Sequence, residues 1–324
     1  MCSLKIFLTL IGLGYIQITE AAYLKCFKRT MGNVQTTPLE MPLPLMVNAS
    51  CIDPALDTVV YINGFNGNVN TPDAIGIITA YLSLNTCNVL YLDWAEEASD
   101  GNLGMVLGYL RAVPNVKKVG NQLGASLLIL ADAGLDLDKL HLVGLSLGAQ
   151  VSGVAGEIAS RDGKPKIGRI TGLDPAGPLF RGSILFKNKL TTDSGKFVDV
   201  LHTDPGGYGI HKPIGTVDVW INYHTLKVVQ PGCPAISFSQ IFCSHERSAA
   251  IFQESILNRA SFLGSGQANY FAWIQNKGTT AQVEIIGEYI SLSARGNYYL
   301  VTNAHSPYGK GRDGLAPNLK GFLG

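Results

Sequence analysis

The sequence predicts an α/β fold in which helices cover both faces of a mostly parallel central sheet. Apolar, β-branched segments alternate with helical segments up to about residue 202, which is the pattern of such a sheet. The 37 glycines are typical of a sheet-centred fold with many tight turns. With 324 residues, 46% of them hydrophobic and 15% charged, the chain has ample material for a large core. Its net charge of +1 gives no indication of nucleic-acid binding or of attraction to anionic membranes.

The N-terminus has the pattern of a secretory signal. One positive charge lies within residues 1–5, residues 6–18 are mostly apolar, and the small residues Ala21 and Ala22 follow. The apolar run is too short and too interrupted to span a bilayer. We therefore expect residues 1–22 to be a cleaved signal peptide, residues 23–324 to form a single domain, and the protein to be secreted, with no transmembrane segment.

Five cysteines follow the predicted signal, and an extracellular route favours disulfides between them. Two of them enclose a nine-residue loop, and of the other three one is expected to stay unpaired, although the sequence does not say which. The five are Cys233 and Cys243, which bound the loop, and Cys26, Cys51 and Cys87. Asn48 lies in an Asn-Ala-Ser sequon within a Pro-rich segment and is a candidate glycosylation site.

The elements before the central turn are predicted in chain order. Residues 23–48 are polar and Pro-rich and are predicted to be irregular. A buried strand over 57–62 runs into a Gly/Asn turn, a helix extends to about Leu84, and a strand covers 89–92. Residues 103–133 are mostly helical, and Pro114 marks either a kink or the start of a second helix.

Further strands and helices are predicted after the first strand–helix units. Strands are predicted at 141–143, 166–173, 197–202 and 215–221, late strands at 268–274, 283–286 and 298–302, and helices at 149–159 and 244–259. The Gly-rich tail from Gly309 is expected to fray.

The turn between 141–143 and 149–159 carries the strongest chemical signal. It reads Gly144-Leu145-Ser146-Leu147-Gly148, a G-x-S-x-G between a strand and a helix. Glycine on each side permits a turn too sharp for larger side chains, and such a turn presents the serine hydroxyl above the sheet edge. A lone G-x-S-x-G arises by chance in Gly-rich chains, but here strand, turn and helix come in the order that the chemistry requires.

A nucleophilic serine needs a base to take its proton and an acid to orient that base. In this fold type the acid and then the histidine follow the serine along the chain. Asp174 is the best-placed acid because it ends a predicted strand and precedes a proline, whereas Asp193, Asp199 and Asp204 are less well placed.

The base is harder to choose from spacing. His245 follows Cys243 at the start of a predicted helix, beside a predicted disulfide that would fix its backbone. By placement alone His245 is favoured, and the alternatives left open are His202, His211, His224 and His305.

The oxyanion produced by serine attack needs two backbone amides. One would be the amide of Leu147, directly after the nucleophile. The other would be the amide of Phe65, in the loop after the 57–62 strand, where Gly64 allows close approach.

Four blocks of the sequence resemble the signatures of the pancreatic-lipase family, and they come in the family's order. They are residues 144–149 (GLSLGA), 172–178 (GLDPAGP), 230–233 (QPGC) and 243–247 (CSHER). The resemblance covers roughly residues 23–307. It implies an α/β-hydrolase fold and a serine carboxylic ester hydrolase that acts on lipids through an acyl-enzyme. The implied triad is Ser146, Asp174 and His245, and no cofactor or metal is implied.

The chain is most similar to the secreted insect branch of that family, which contains neutral lipases and phospholipases of the A1 type. The C-terminal β-sandwich of pancreatic lipases has no counterpart in the sequence. By the resemblance, the loop between Cys233 and Cys243 corresponds to the lid. Such a short flap goes with activity on phospholipids in this family. The implied partner is a phospholipid or an acylglycerol at a lipid–water interface.

The chain departs from the family pattern at several positions. Asn63 and Leu145 stand where the family usually has histidine, and residues 223–224 (YH) replace a Gly-Gly. The calcium loop resembles residues 190–196 but has Thr191 and Ser194 in place of two aspartates, so we expect no structural calcium. The alternative function is that of the yolk proteins, lipid-binding or storage relatives that have lost the serine, whereas this chain keeps all three triad residues.

Overall fold

The computed structural model describes residues 22–47, 51–182, 189–225, 228–234 and 241–317. The predicted signal peptide (apart from Ala22) and the candidate glycosylation site Asn48 lie outside these residues. The strands are β1 (Tyr23–Phe27), β2 (Val34–Pro38), β3 (Asp57–Ile62), β4 (Cys87–Asp93), β5 (Leu140–Leu145), β6 (Arg169–Leu173), β7 (Phe197–His202), β8 (Val217–Ile221), β9 (Leu263–Gly266), β10 (Val283–Ile285) and β11 (Gly296–Leu300). The α-helices are α1 (Pro72–Leu84), α2 (Ala95–Ala98), α3 (Met105–Asp132), α4 (Leu147–Ala159), α5 (Cys243–Leu257) and α6 (Tyr270–Gln275).

All of these strands belong to one sheet, in the order β10-β9-β11-β8-β7-β6-β5-β3-β4-β1-β2. The run from β11 to β4 is parallel throughout. Antiparallel strands flank that run, with β1 and β2 beyond β4 and with β9 and β10 beyond β11. This confirms the prediction of a mostly parallel sheet.

Helices cover both faces of the sheet, as predicted. Helices α3 and α4 pack together on one face, and α1 and α5 pack together on the other. Alternate residues of β3 show the division, because Val60 and Ile62 join the core under α3 and α4. Val59 and Tyr61 of the same strand join the core under α1 and α5. A parallel strand buried on both faces is apolar throughout, as these residues are.

The prediction that residues 23–48 are irregular is wrong. β1 and β2 form an antiparallel pair, and β1 also pairs with β4. The Lys25 Nζ atom lies 2.6 Å from Asp93 Oδ2 across that second pairing. The partner strand β4 is remote in sequence, and β2 buries only Thr37, so neither strand has a strong local pattern.

The prediction of a strand at 268–274 is also wrong, because this segment contains helix α6. The Asn269 side chain caps the helix by accepting a hydrogen bond from the Ala272 amide at 3.0 Å. Tyr270 and Trp273, three residues apart, are its buried residues. They pack with Trp220 and Tyr299, so tertiary packing overrides the β-propensity of the aromatic residues.

The structure also answers two further expectations, one about Pro114 and one about the C-terminal tail. Helix α3 is continuous through Pro114, so no second helix begins there. The tail does not fray up to residue 317, because the Gly314 carbonyl accepts from the Val301 amide at 2.8 Å. The Leu315 carbonyl also accepts from the Trp273 indole at 2.8 Å. Residues 318–324 lie outside the described part.

The cysteine pairing is resolved for the described residues. Cys233 pairs with Cys243, as expected, and Cys26 pairs with Cys51. Cys87 is the free thiol, and burial raises its pKa to about 12, so it is a poor nucleophile at neutral pH. No helix within the described ranges is both long enough and apolar enough to cross a membrane.

Candidate active site

Ser146 lies at a sharp turn between the end of β5 and the start of α4. Its φ is 56° and its ψ is −117°, a conformation that L-residues rarely adopt. A Cβ on Gly144 would lie 2.4 Å from the Gly148 carbonyl oxygen, and one on Gly148 would lie 2.2 Å from the Ile62 carbonyl oxygen. Both glycines are therefore required for the helix to approach the strands this closely.

The loop after β3 lies against the serine. A Cβ on Gly64 would lie 2.8 Å from the Cβ of Ser146, so only glycine fits at this position. The Phe65 amide donates no hydrogen bond to any of the residues that the structure describes. Leu147 is the first residue of α4, so its amide has no acceptor within the helix. Both amides are thus available to a ligand beside Ser146.

Asp174 follows β6, and hydrogen bonds hold both of its carboxylate oxygens. Oδ1 accepts from the amides of Thr203 at 2.9 Å and Asp204 at 3.0 Å. Oδ2 lies 2.6 Å from Nδ1 of His245, which donates to it. Asp174 is fully buried, so these donors replace the water that an ionised carboxylate requires.

The register of the sheet explains why these groups meet. Leu145 of β5 pairs with Leu173 of β6, and Leu173 pairs with Leu201 of β7. The ladder continues one residue further, since the Ser146 amide donates to Leu173 and the Asp174 amide donates to Leu201. Ser146 and Asp174 therefore occupy the same level at the carboxyl edge of the sheet.

The protonation of His245 reflects two opposed effects. Burial favours the neutral ring, whereas the hydrogen bond and the charge of Asp174 favour the imidazolium. Asp204 and Glu246 add to the second effect, and the net result is a pKa raised above its ordinary value. An imidazolium formed at this position during a reaction is therefore stabilised.

The other candidate histidines do not contact Asp174. His202 is buried elsewhere, with Nε2 2.8 Å from Asp218 Oδ1 and its ring stacked on Trp220. His224 packs against the Tyr270 ring, and His211 and His305 are exposed. Of the alternative acids, Asp193 is exposed beside Lys166, Asp199 is paired with Arg169, and Asp204 supports Asp174 through its backbone amide. The structure thus brings together the pair that the sequence favoured.

A cavity of ≈ 460 Å³ opens beside Ser146 and His245. One wall comes from the start of α3 and contains Met105, Val106 and Leu110. Pro178, Leu179 and Phe65 also line the cavity. These side chains are apolar, as in sites that bind the hydrocarbon parts of a ligand.

Several residues of the site were not found from the sequence. Thr203 and Asp204 follow β7, the strand next to β6, so the strand order could have indicated that their amides hold Asp174. The sequence offered Asp204 only as an alternative acid. Asp73 and Glu246 line the cavity and carry charge, and Glu246 directly follows His245. No local pattern indicated the apolar wall from α3, which depends on how the helix packs.

The two departures from the family pattern occupy different environments. The Asn63 side-chain amide donates to Asp73 Oδ2 at 2.6 Å and to Thr71 Oγ1 at 3.1 Å. Its buried Oδ1 has no hydrogen-bond partner among the described residues, so only the Nδ2 group of the Asn63 side chain is satisfied. Leu145 is buried and reaches the cavity wall. Neither side chain supplies an atom that the candidate chemistry requires.

The region that resembles a calcium loop is closed by its own hydrogen bonds. The Ser194 hydroxyl accepts from the Thr191 amide at 3.1 Å. Within the described ranges, the one group of possible metal ligands consists of Asp174, Asp204 and His245, within 4.8 Å of one another. The direct bond between Asp174 and His245 already uses their facing atoms.

The Cys233–Cys243 disulfide joins the segment after Gln230 to the first residue of α5. His245 lies in the first turn of that helix, so the disulfide is two residues from the candidate base. Residues 235–240, which form most of the predicted lid, lie outside the described residues.

Comparisons with known proteins identify a family. The model of the family described as Lipase matches residues 30–308. Phospholipase A1 member A of Rattus norvegicus is 34% identical over 224 residues, which are 68% of this chain and 46% of that protein. Lipase member H-B of Xenopus laevis is 36% identical over 211 residues, 64% of this chain and 43% of that protein. Phospholipase A1 of Vespa velutina is 33% identical over 215 residues, 65% of this chain and 68% of that protein. The chain spans about half the length of the two vertebrate relatives.

Replacement of Gly209 by alanine should disrupt the Asp174–His245 pair. The added Cβ would lie 2.4 Å from Asp174 Oδ1 and 2.5 Å from Oδ2, so the carboxylate must move. A displacement of about 1 Å can cost about 100-fold in rate, and we expect a loss of that order in kcat/KM on a soluble ester. The control is Gly32→Ala, since nothing lies within 4 Å of its added Cβ. Activity of Gly209→Ala within twofold of the control would contradict the assignment of Asp174.

The pH dependence of kcat/KM should report His245. The base must be neutral to accept the Ser146 proton, so activity rises with pH through the pKa of His245 in the free protein. Because burial, which lowers that pKa, is outweighed by the hydrogen bond and charge of Asp174 together with the charges of Asp204 and Glu246, the midpoint should lie above about 6.5. Asp204→Asn removes one of the charges that raise the pKa, so its midpoint should be lower. A wild-type midpoint at or below 6.5, measured with a soluble ester, would argue against this electrostatic description.

Proposed function

The chain belongs to the lipase family, has the α/β-hydrolase fold, and we propose that it is a secreted serine hydrolase that cleaves carboxylic esters of lipids. The observation that carries the proposal is the 2.6 Å contact of His245 with Asp174 at a cavity that Ser146 also lines. The relatives named phospholipase A1 and lipase support the same reaction class. The signal-like N-terminus and the two disulfides support an extracellular location.

In the proposed mechanism, Ser146 attacks the acyl carbonyl while His245 takes the hydroxyl proton, and Asp174 holds His245 in the required tautomer. The amides of Leu147 and Phe65 stabilise the oxyanion. His245 then gives its proton to the departing alcohol, which leaves Ser146 acylated. A water molecule attacks the acyl-enzyme, again with His245 as base, and releases the fatty acid and free Ser146. Every step uses groups that this chain supplies, without a cofactor or a metal.

The substrate class that we favour is a phospholipid, cleaved as by an A1-type phospholipase, with acylglycerols as the alternative. The short interval between Cys233 and Cys243 supports this choice through the family resemblance. The non-catalytic alternative, a yolk-protein-like lipid-binding protein, receives no support from the site, where the serine, the histidine and the aspartate are all present and the last two are hydrogen-bonded.

The Ser146→Ala variant tests the proposal directly. We expect the secreted protein to release an acyl chain from phosphatidylcholine labelled at the sn-1 position, and the variant to lose at least about 1,000-fold in kcat. A triacylglycerol emulsion and a short-chain nitrophenyl ester complete the panel, and an organophosphate should label wild-type protein but not the variant. Hydrolysis of every substrate at the wild-type rate by a folded Ser146→Ala protein would overturn the mechanism.

An exposed apolar surface adjoins the cavity and suits contact with a lipid aggregate. We define the α3 patch as residues that begin α3 or directly precede it, and their exposed fractions are 52% for Leu103, 42% for Met105, 70% for Val106, 59% for Leu107 and 50% for Leu110. Contiguous apolar residues at this exposure are unusual on a soluble surface and mark contact sites. Because Met105, Val106 and Leu110 also line the cavity, lipid that contacts the patch lies at its mouth.

Charges introduced into the α3 patch should lower the hydrolysis of lipid at an interface but not the hydrolysis of dissolved esters. Leu103→Asp with Leu107→Asp changes two patch residues outside the cavity wall, and we expect hydrolysis of vesicles and emulsions to fall about tenfold or more. Hydrolysis of the soluble ester should stay within about twofold. The control is Leu292→Asp, which is 58% exposed and precedes the amino end of β11, at the sheet edge opposite Ser146. An equal loss on both substrate types would count against an interfacial role.

A further inference from the structure

Charged side chains in the cavity wall bear on which lipids can enter. We infer that Asp73 and Glu246 form an acidic rim that selects against lipids with a net negative head group, in favour of uncharged or zwitterionic ones. This inference rests on the proposed function and specifies the substrate of the same site. In a glycerolipid the scissile ester and the head group share one glycerol, so a head group lies only a few bonds from the carbonyl that Ser146 attacks.

Asp73 is held in place at the first turn of α1. Its Oδ2 accepts from the Tyr61 hydroxyl at 2.5 Å and from the Asn63 side-chain amide at 2.6 Å. These two donors hold the carboxylate at the N-terminal end of α1, where the helix dipole interacts favourably with a negative charge. The Asn63 side chain also fixes Asp73 relative to the Gly64–Phe65 loop, so the negative charge has a defined position beside the oxyanion amides.

Glu246 supplies the second charge from α5, directly after His245. Burial and the neighbouring Asp73 carboxylate raise its pKa, while His245 opposes the shift. The two carboxylates, one from α1 and one from α5, lie in the same region because both residues line the cavity. Behind His245, Asp174 and Asp204 add further negative charge.

No lysine or arginine is among the residues that line the described part of the cavity. Neither Asp73 nor Glu246 has an ion-pair partner among the described residues. Arg181 and Arg111 lie outside this lining. Arg181 donates to the carbonyls of Gly207 and Gly209, and Arg111 donates to the carbonyls of Ser99 and Glu96.

As a consequence, Asp73 and Glu246 discriminate between lipids by the net charge of the head group, close to the atoms that react. The phosphodiester of a phospholipid carries one negative charge. The ammonium in the head group of phosphatidylcholine neutralises this charge, whereas the glycerol head group of phosphatidylglycerol does not. Like charges a few ångströms apart in a partly desolvated cleft repel strongly enough to lower kcat/KM several-fold or more. Phosphatidylcholine should therefore be cleaved in preference to phosphatidylglycerol.

The experiment is an internal competition with the full-length secreted protein. Phosphatidylcholine and phosphatidylglycerol with identical acyl chains are mixed as minor components of neutral detergent micelles, so that both experience the same surface. The initial ratio of the two lysophospholipids gives the ratio of the two kcat/KM values. We expect the wild-type protein to favour phosphatidylcholine about tenfold, and Glu246→Gln to reduce that preference about three- to tenfold.

The matched control is Glu157→Gln, which removes the same charge near the far end of α4. Glu157 lies eleven positions after Ser146. At 1.5 Å per helical residue this places it about 16 Å away, about twice the ~8 Å screening length at physiological salt. Glu157→Gln should leave the ratio at the wild-type value. Glu246→Lys should shift the ratio further than Glu246→Gln.

The outcomes separate this inference from the proposed function. A wild-type protein that cleaves phosphatidylglycerol as well as phosphatidylcholine, or a ratio unchanged in Glu246→Gln, overturns the acidic rim. If only acylglycerols are cleaved, the competition is run between a diacylglycerol and its succinate monoester, with the same expectations. A folded protein that cleaves none of these lipids and no nitrophenyl ester contradicts the proposed function instead.

Discussion

The close approach of α4 to the end of β3 is the contact that assembles the site. A Cβ on Gly148 would lie 2.2 Å from the Ile62 carbonyl oxygen and 2.5 Å from that of Asn63, so the helix rests directly on the strand's backbone. This contact sets Gly64 against Ser146 and brings the start of the helix to the loop that carries Phe65. The candidate nucleophile and the two candidate oxyanion amides are thereby held by backbone packing, so little reorganisation would be needed when charge develops beside them.

The acid–base pair depends on the parallel sheet in a different way. β5, β6 and β7 end in register, so Asp174 is reached by the amides that follow β7 on one side and lies beside Ser146 on the other. His245 comes from α5, on the face of the sheet opposite α4, and meets Asp174 at the edge between the two faces. The site therefore combines Ser146 at the start of α4, Asp174 from the sheet and His245 from α5. The neighbouring carboxylates add negative charge to a cavity whose wall is otherwise apolar.

Strong local patterns were sufficient for the parallel core, whereas the choice of His245 over four other histidines rested on its placement and on the family resemblance. The sequence predicted β3 with its observed bounds, and the G-x-S-x-G turn at Ser146 needed only its two glycines. Features that depend on distant partners were missed. β1 is stabilised by β4, the α6 segment by Trp220 and Tyr299, and the Cys26–Cys51 pairing by the fold as a whole. The spacing of Tyr270 and Trp273 was a helical signal, but the aromatic composition obscured it.

The place of β11 in the sheet has a consequence for biosynthesis. This strand inserts between β8 and β9 although it follows both in the chain, and it pairs parallel with the first and antiparallel with the second. Until residue 300 has left the ribosome, the β9–β10 pair has no strand that connects it to the rest of the sheet, although every residue of the candidate triad has already been made. At about 5–20 residues per second, the interval from His245 to residue 300 lasts several seconds. During that time the edge of β8 is unpaired, so a chaperone would meet all three residues of the candidate triad on an incomplete sheet.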